Sequence, residues 1–156
     1  MDETTYIAIA QQQMSALYRM AYSIVGNRPD AEDALQQSFL NAWRHRAKAR
    51  PGAERAWMMR ILINECRSLL RRRKKTLPLE DASHLSAPEP APDDGLRQAI
   101  RALPENLRTP LLLKYMEGMT EKEIAAALGL PQSSVKNRLF RARRKLKDQL
   151  NEEVGP

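Results

Sequence analysis

Lys136, Asn137, Phe140 and Arg141 fall at i, i+1, i+4 and i+5, so a helix would carry them on one face. Their chemistry suits duplex DNA. Arg and Lys can bond guanine O6 and N7, and Asn can bond adenine N6 and N7. Val135, Leu139, Ala142 and Leu146 recur at i, i+4, i+7 and i+11 and predict the opposite, buried stripe. Phe140 stands evenly between packing inside the domain and facing the DNA. Arg138, Arg143, Arg144, Lys145 and Lys147 also lie off the buried stripe, and for Arg143, Arg144, Lys145 and Lys147 phosphates or solvent are the natural partners. Ser133 and Ser134 would sit at the helix N-terminus, where hydroxyls and unpaired amides suit a phosphate. No acid interrupts positions 132–147, whereas an ordinary solvated face mixes signs.

The residues just before this helix are those needed to position it. Thr120 and Glu123 have capping-box spacing, which predicts a helix starting at Thr120 with Ile124, Ala125, Leu128 and Leu130 on its apolar face. Gly129 supplies the permissive backbone for a turn, and Pro131 suits the first turn of the next helix. A short helix, a tight turn and a long basic helix form a helix-turn-helix, which places its second helix in the major groove.

A second, weaker constellation lies upstream. Trp57 and Asn64 are seven apart on one helical face, beside Arg60 and Arg67, a set that could hold unpaired bases by stacking and edge contacts. A tryptophan such as Trp57 is more often core than platform in a three-helix module. Asp30, Glu32 and Asp33 read as acids at a helix N-terminus. Enzyme chemistry finds no support. His45 and His84 are the two histidines, no His/Cys/carboxylate cluster has metal-ligand spacing, and no phosphate loop or nucleophile elbow occurs. The expectation is no catalytic residue, no metal and no cofactor.

The 156 residues carry a formal charge of +7, which favours a polyanionic partner. The charge is segmented. Residues 1–76 hold 14 basic and 7 acidic side chains, residues 77–95 hold 5 acids and no Lys or Arg, and residues 96–156 hold 12 basic and 7 acidic. The lone cysteine, Cys66, permits no intramolecular disulfide and reads as a small core residue. The N-terminus lacks a signal-peptide pattern and no run is long and apolar enough for a membrane span, so a soluble, cytoplasmic protein is expected.

Apolar residues recur at helical spacing almost throughout, which predicts an all-α fold. The expected first helix runs from near Thr4 to Val25, with Ala10, Met14, Leu17, Tyr18, Ala21, Tyr22 and Val25 inward. Residues 26–30 break it. A second helix follows to about His45, with Leu35, Phe39, Ala42 and Trp43 as its apolar stripe. After a basic loop at 46–52, a third spans about Glu54 to Lys75, with Met58, Ile61, Leu62, Cys66 and Leu69 inward. Residues 77–95, with prolines at 78, 88, 90 and 92, read as a flexible acidic linker. Helices resume at about Gly95–Leu103 and Pro104–Met116, where Pro110 predicts a kink or a late start. The expected organisation is thus two small helical domains, 1–76 and 96–156, about a spacer.

Taken together, D-A-E-D-A-L-Q-Q-S-F-L-N-A-W-R at 30–44, A-W-M-M-R-I-L-I-N at 56–64 and the run from Leu103 to Leu146 resemble, in order, regions 2.2, 2.3–2.4 and 4 of bacterial sigma factors of the extracytoplasmic-function (ECF, group IV) sigma-70 family. The resemblance implies that 1–76 binds core RNA polymerase and the −10 element and that 96–156 binds the −35 element. It assigns Asp33, Gln36, Gln37, Asn41 and Arg44 to the beta-prime clamp helices, although Gln37 stands where the family often has an acid. It assigns Trp57, Arg60, Asn64 and Arg67 to the melted −10 element. Met59 and Ile63 depart from the aromatic and polar residues common at their positions. Ser133, Ser134, Lys136, Asn137, Arg138, Phe140, Arg141 and Arg144 go to the −35 duplex, and residues 111–116 to the beta flap. The implied partners are core RNA polymerase, promoter DNA and an anti-sigma factor, in a stress or envelope response. The alternative from the residues alone is a free-standing helix-turn-helix regulator, which would bind duplex DNA tightly by itself.

Overall fold

The structure is a computed structural model that describes residues 1–76 and 95–154. They hold seven α-helices and no strand, in two compact units. The expected acidic linker, with His84, lies outside the described residues except for Gly95.

The N-terminal unit contains α1 (Glu3–Val25), α2 (Arg28–Arg44), a single 3-10 turn (Arg46–Lys48) and α3 (Glu54–Thr76). Asp2 caps α1 by accepting from the Thr5 N–H at 2.8 Å, and these bonds hold its carboxyl below the usual range. Gly26, at φ +84°, closes α1, and Asn27 opens α2 by accepting the Asp30 N–H at 2.9 Å. The break is therefore tighter than expected. Pro29 sits inside the first turn of α2, where its missing N–H costs nothing, and the helix begins at Arg28 rather than near Asp30.

The three helices pack pairwise. Leu17, Met20, Ala21, Ile24 and Val25 of α1 meet Met58, Met59, Leu62, Ile63, Cys66 and Leu69 of α3 in the core. Between them α2 buries a line of small residues, Ala31, Ala34, Ser38 and Ala42, while Leu35, Phe39 and Trp43 are half-buried on its flanks. Small side chains let the α2 backbone approach its neighbours, and the Ser38 hydroxyl is satisfied by donating to the Ala34 carbonyl at 2.6 Å. Each fully buried large aliphatic contributes on the order of 1.5–3 kcal/mol. Several expected positions change. Met14 is exposed and Met20 and Ile24 take its place in the core; Ile61 is only half-buried, whereas Met59 and Ile63 are fully buried. Trp43 lies edge-on to Tyr6 at 5.2 Å between ring centres, under the Arg46 guanidinium at 3.7 Å.

The C-terminal helices are α4 (Gly95–Ala102), α5 (Glu105–Tyr115), α6 (Glu121–Leu128) and α7 (Gln132–Val154). The buried apolar residues of the C-terminal unit are Ala99, Leu103, Leu107, Leu111, Leu113, Met119, Ile124, Val135, Leu139 and Ala142. α7 packs on α4 and α5. Arg108 donates to the carbonyls of Leu103 at 3.0 Å and Arg101 at 3.3 Å, satisfying acceptors at the end of α4. Burial lowers the pKa of its guanidinium, against an opposing pull from Glu105. Pro110 does not delay α5, which starts at Glu105 and runs through the buried proline.

Candidate nucleic-acid interface

The helix-turn-helix is built from local signals. Thr120 N–H donates to Glu123 Oε1 at 3.0 Å and Glu123 N–H to Thr120 Oγ1 at 3.1 Å, a reciprocal capping box at the start of α6. Gly129, at φ +67°, ends α6, and Leu130 N–H reaches back to the Ala125 carbonyl at 3.0 Å. This is the six-to-one bond of a Schellman turn, so Leu130 belongs to the turn and not to the α6 face. The Pro131 carbonyl accepts from Ser134 and Val135, which places Pro131 at the cap of α7, one step before its first turn.

On α7, Val135, Leu139 and Ala142 are fully buried and Leu146 is half-buried. Ser133, Lys136, Asn137, Phe140, Arg141 and Arg144 are all exposed, so the structure brings these expected contacts onto one outward surface. Phe140 is 58% exposed, which removes it from the domain core. Ser134 is half-buried near the turn. Arg138 differs from the rest. It lies on the flank toward α5, half-buried, with its guanidinium 3.5 Å from the Asn106 carbonyl. Pro110 explains the vacancy there, because it has no N–H to give the carbonyl four residues back. On the other flank Arg143 donates to the Tyr115 hydroxyl at 2.8 Å. Seven Lys and Arg between 132 and 147, with no acid, give this helix a strongly positive surface.

In the N-terminal unit, Trp57, Arg60, Asn64 and Arg67 share one stripe of α3 at i, i+3, i+7 and i+10. Arg60 and Asn64 are exposed, while Trp57 and Arg67 are half-buried. Trp57 thus combines packing with an accessible edge. Met59 and Ile63 lie on the buried side of α3, so in this chain both positions are core.

Asp33, Gln36 and Arg44 are exposed on α2, with Gln37 and Asn41 half-buried beside them. Gln37 donates to Asn41 Oδ1 at 3.2 Å and Asn41 to Glu65 Oε2 of α3 at 3.3 Å, so these two amides are held in place. Leu40 sits amid this polar face and is 53% exposed. Sequence reading missed it, because a leucine in an amphipathic helix is ordinarily assigned to the core. Among the described residues, no helix is long and apolar enough to cross a membrane, and no group of three or more His, Cys, Asp or Glu could hold a metal ion.

The family described as Sigma-70 region 2 matches residues 9–76, and Sigma-70, region 4 matches residues 93–146. The chain is 32% identical over 152 residues to the ECF RNA polymerase sigma factor SigM of Mycobacterium tuberculosis, covering 93% of this chain and 76% of that protein. It is 30% identical over 141 residues to the RNA polymerase sigma factor SigV of Bacillus subtilis, covering 87% and 85%. Against the ECF RNA polymerase sigma factor SigE of Mycolicibacterium smegmatis the identity is 32% over 155 residues, covering 91% of this chain but only 60% of that longer protein. Among solved structures, CnrH in complex with the cytosolic domain of CnrY matches at a TM-score of 0.70 and 25% identity, covering 97% of this chain and 90% of that one. The sigma factor RpoE in complex with the anti-sigma factor NepR from Bartonella quintana shares the fold, at a TM-score of 0.74 and 24% identity, covering 92% and 97%. The chain belongs to the sigma-70 family of RNA polymerase sigma factors, in its ECF group.

Proposed function

We propose that this chain is a promoter-specificity subunit that brings core RNA polymerase to a bipartite promoter and stabilises the opened strand, with no catalysis of its own. The observation that carries the reading is the basic outward face of α7 in one unit, coupled in the same chain to the Asn64 stripe of α3 in another. In this reading Ser133, Ser134, Lys136, Asn137, Phe140, Arg141 and Arg144 meet the −35 duplex. Trp57, Arg60, Asn64 and Arg67 meet the unpaired −10 strand. Asp33, Gln36, Gln37, Asn41 and Arg44, joined by exposed Leu40, form the face for the beta-prime clamp helices, and residues 111–116 meet the beta flap. The working compartment is the cytoplasm, where polymerase is. The two solved relatives were captured with partner proteins, one of them an anti-sigma factor, which supports the same mode of restraint here, released in a stress or envelope response.

The test is run-off transcription with purified core polymerase on a genomic promoter library. The expected result is a discrete set of start sites sharing two spaced elements, with weak, salt-sensitive DNA binding by the chain alone. Tight, two-fold-symmetric duplex binding without polymerase, and no transcript with it, would establish a free-standing regulator instead.

A further inference from the structure

The five consecutive cations Arg71 to Lys75 end α3, and none of them belongs to the surfaces described above. The helix sorts them. Arg73 is drawn onto Asp30 at 2.7 Å. Arg72 lies near Glu65 at 3.5 Å and donates to the Ser68 hydroxyl at 3.0 Å. Arg71 and Lys75 are exposed, and they continue the spacing of the α3 stripe: Trp57, Arg60, Asn64, Arg67, Arg71 and Lys75 fall at i, i+3, i+7, i+10, i+14 and i+18.

We propose that Arg71 and Lys75 form a phosphate-binding track that carries promoter DNA backbone along α3, beyond the bases held at Asn64. This rests on the proposed reading of that stripe. From Asn64 to Lys75 a helix rises about 16 Å, and one DNA strand presents a phosphate about every 3.4 Å, so the track spans four or five phosphates. Charge complementarity selects the occupant. Past Asn64 the stripe holds only cations, which suits a sequence-independent backbone and no base edge. The helix dipole alone does not account for the run, because its effect fades within the last turn and Arg71 stands five residues before Thr76. Adjacent like charges also repel, a cost that a polyanion removes.

The experiment compares wild-type chain with the Arg71→Ala/Lys75→Ala double variant, each in holoenzyme with core polymerase, on one promoter chosen by wild-type run-off. Open-complex formation is measured from 0.05 to 0.3 M salt, with core affinity measured separately. The slope of log affinity against log salt is expected to fall by about 1.5, and affinity at 0.15 M salt by about tenfold. Base preference at the −10 element and core affinity should be unchanged, and the charge-preserving Arg71→Lys/Lys75→Arg variant should keep the wild-type slope. A wild-type slope in the alanine variant overturns the track. A parallel loss of core affinity also overturns it, by assigning the cations to a polymerase contact. Tryptophan fluorescence guards against unfolding, and if the alanine variant unfolds, Arg71→Gln/Lys75→Gln is read by the same criteria. Failure of the wild-type holoenzyme to open any promoter sinks the underlying functional reading; a working wild type with an indistinguishable variant sinks only the track.

Discussion

Asp30 Oδ1 lies 2.7 Å from Arg73 Nη2, joining the first turn of α2 to the last turns of α3 across 43 residues of sequence. Asp30 is 4% exposed, and its other oxygen accepts from the Asn27 side chain at 3.1 Å. One carboxylate therefore holds the side chain of the Asn27 cap and anchors the basic end of α3. Arg73 remains half in water, so its partial solvation discounts the several kcal/mol that losing one member of a buried pair can cost. Asp30→Asn is expected to destabilise the N-terminal unit by about 1–2 kcal/mol, read by urea unfolding of the full chain. Both tryptophans, Trp43 and Trp57, lie in that unit, so their fluorescence isolates it. Combined with Arg73→Gln, the two losses should be less than additive by about 1 kcal/mol; strict additivity would show that the pair carries no coupling.

Tyr6 predicts a loss of stability in base. Its hydroxyl donates to the Phe39 carbonyl at 2.6 Å, and burial raises its pKa above the ordinary 10.0. The folded unit holds the proton more tightly than the unfolded chain does. The resulting stabilisation is complete below pH 10 and is lost as pH climbs from there through the folded-state value. Tyr6→Phe should cost about 1 kcal/mol at pH 8. As pH climbs from 10 through the folded-state value the gap between wild type and variant should close, as seen in fluorescence-monitored melting. A constant gap across that range would contradict the account.

What could be read from the chain follows the range of each signal. The helix-turn-helix was legible because Thr120, Glu123 and Gly129 act on backbone within a few residues of themselves. The Asp30–Arg73 pair was not, since nothing local joins residues 43 apart. In α1 and α3 helical periodicity was visible but its phase was imperfect: Met14 and Ile61 were placed inward, whereas Met20 and Ile63 fill the core. In α2 the buried line is Ala31, Ala34, Ser38 and Ala42, which a search for large apolar residues passes over. On α7, which residues share a face was legible; the position of Arg138 depends on a carbonyl freed by Pro110 on another helix.

Gly129 and Thr120 should control the helix-turn-helix as a unit. A side chain at Gly129 must adopt φ +67°, a left-handed conformation costing about 1–2 kcal/mol. Gly129→Ala should destabilise that unit by this amount, and Thr120→Ala by about 1 kcal/mol through loss of the capping bond. Amide hydrogen exchange is the direct measurement. Protection should fall in α6 and α7 in both variants; unchanged protection there would refute the account.

Arg138 and Arg141 are three residues apart on α7 yet face different tasks. Arg141 is exposed on the outward basic face, away from the α5 flank, and its guanidinium has the chemistry to address a guanine edge. Arg138 is half-buried and spends hydrogen-bonding capacity on the Asn106 carbonyl. Arg141→Ala in holoenzyme should therefore lose about 1–3 kcal/mol of discrimination at one base pair of the −35 element, with core affinity intact. Arg138→Ala should weaken all −35 sequences alike, by less than about 1 kcal/mol, and lower protection of α5 beside it. Binding measured against a set of singly substituted −35 duplexes separates the two patterns. Base-specific loss with Arg138→Ala would move it onto the reading face, and uniform loss with Arg141→Ala would reduce that residue to a phosphate contact. Equal loss of core affinity in Arg141→Ala would remove α7 from promoter reading altogether.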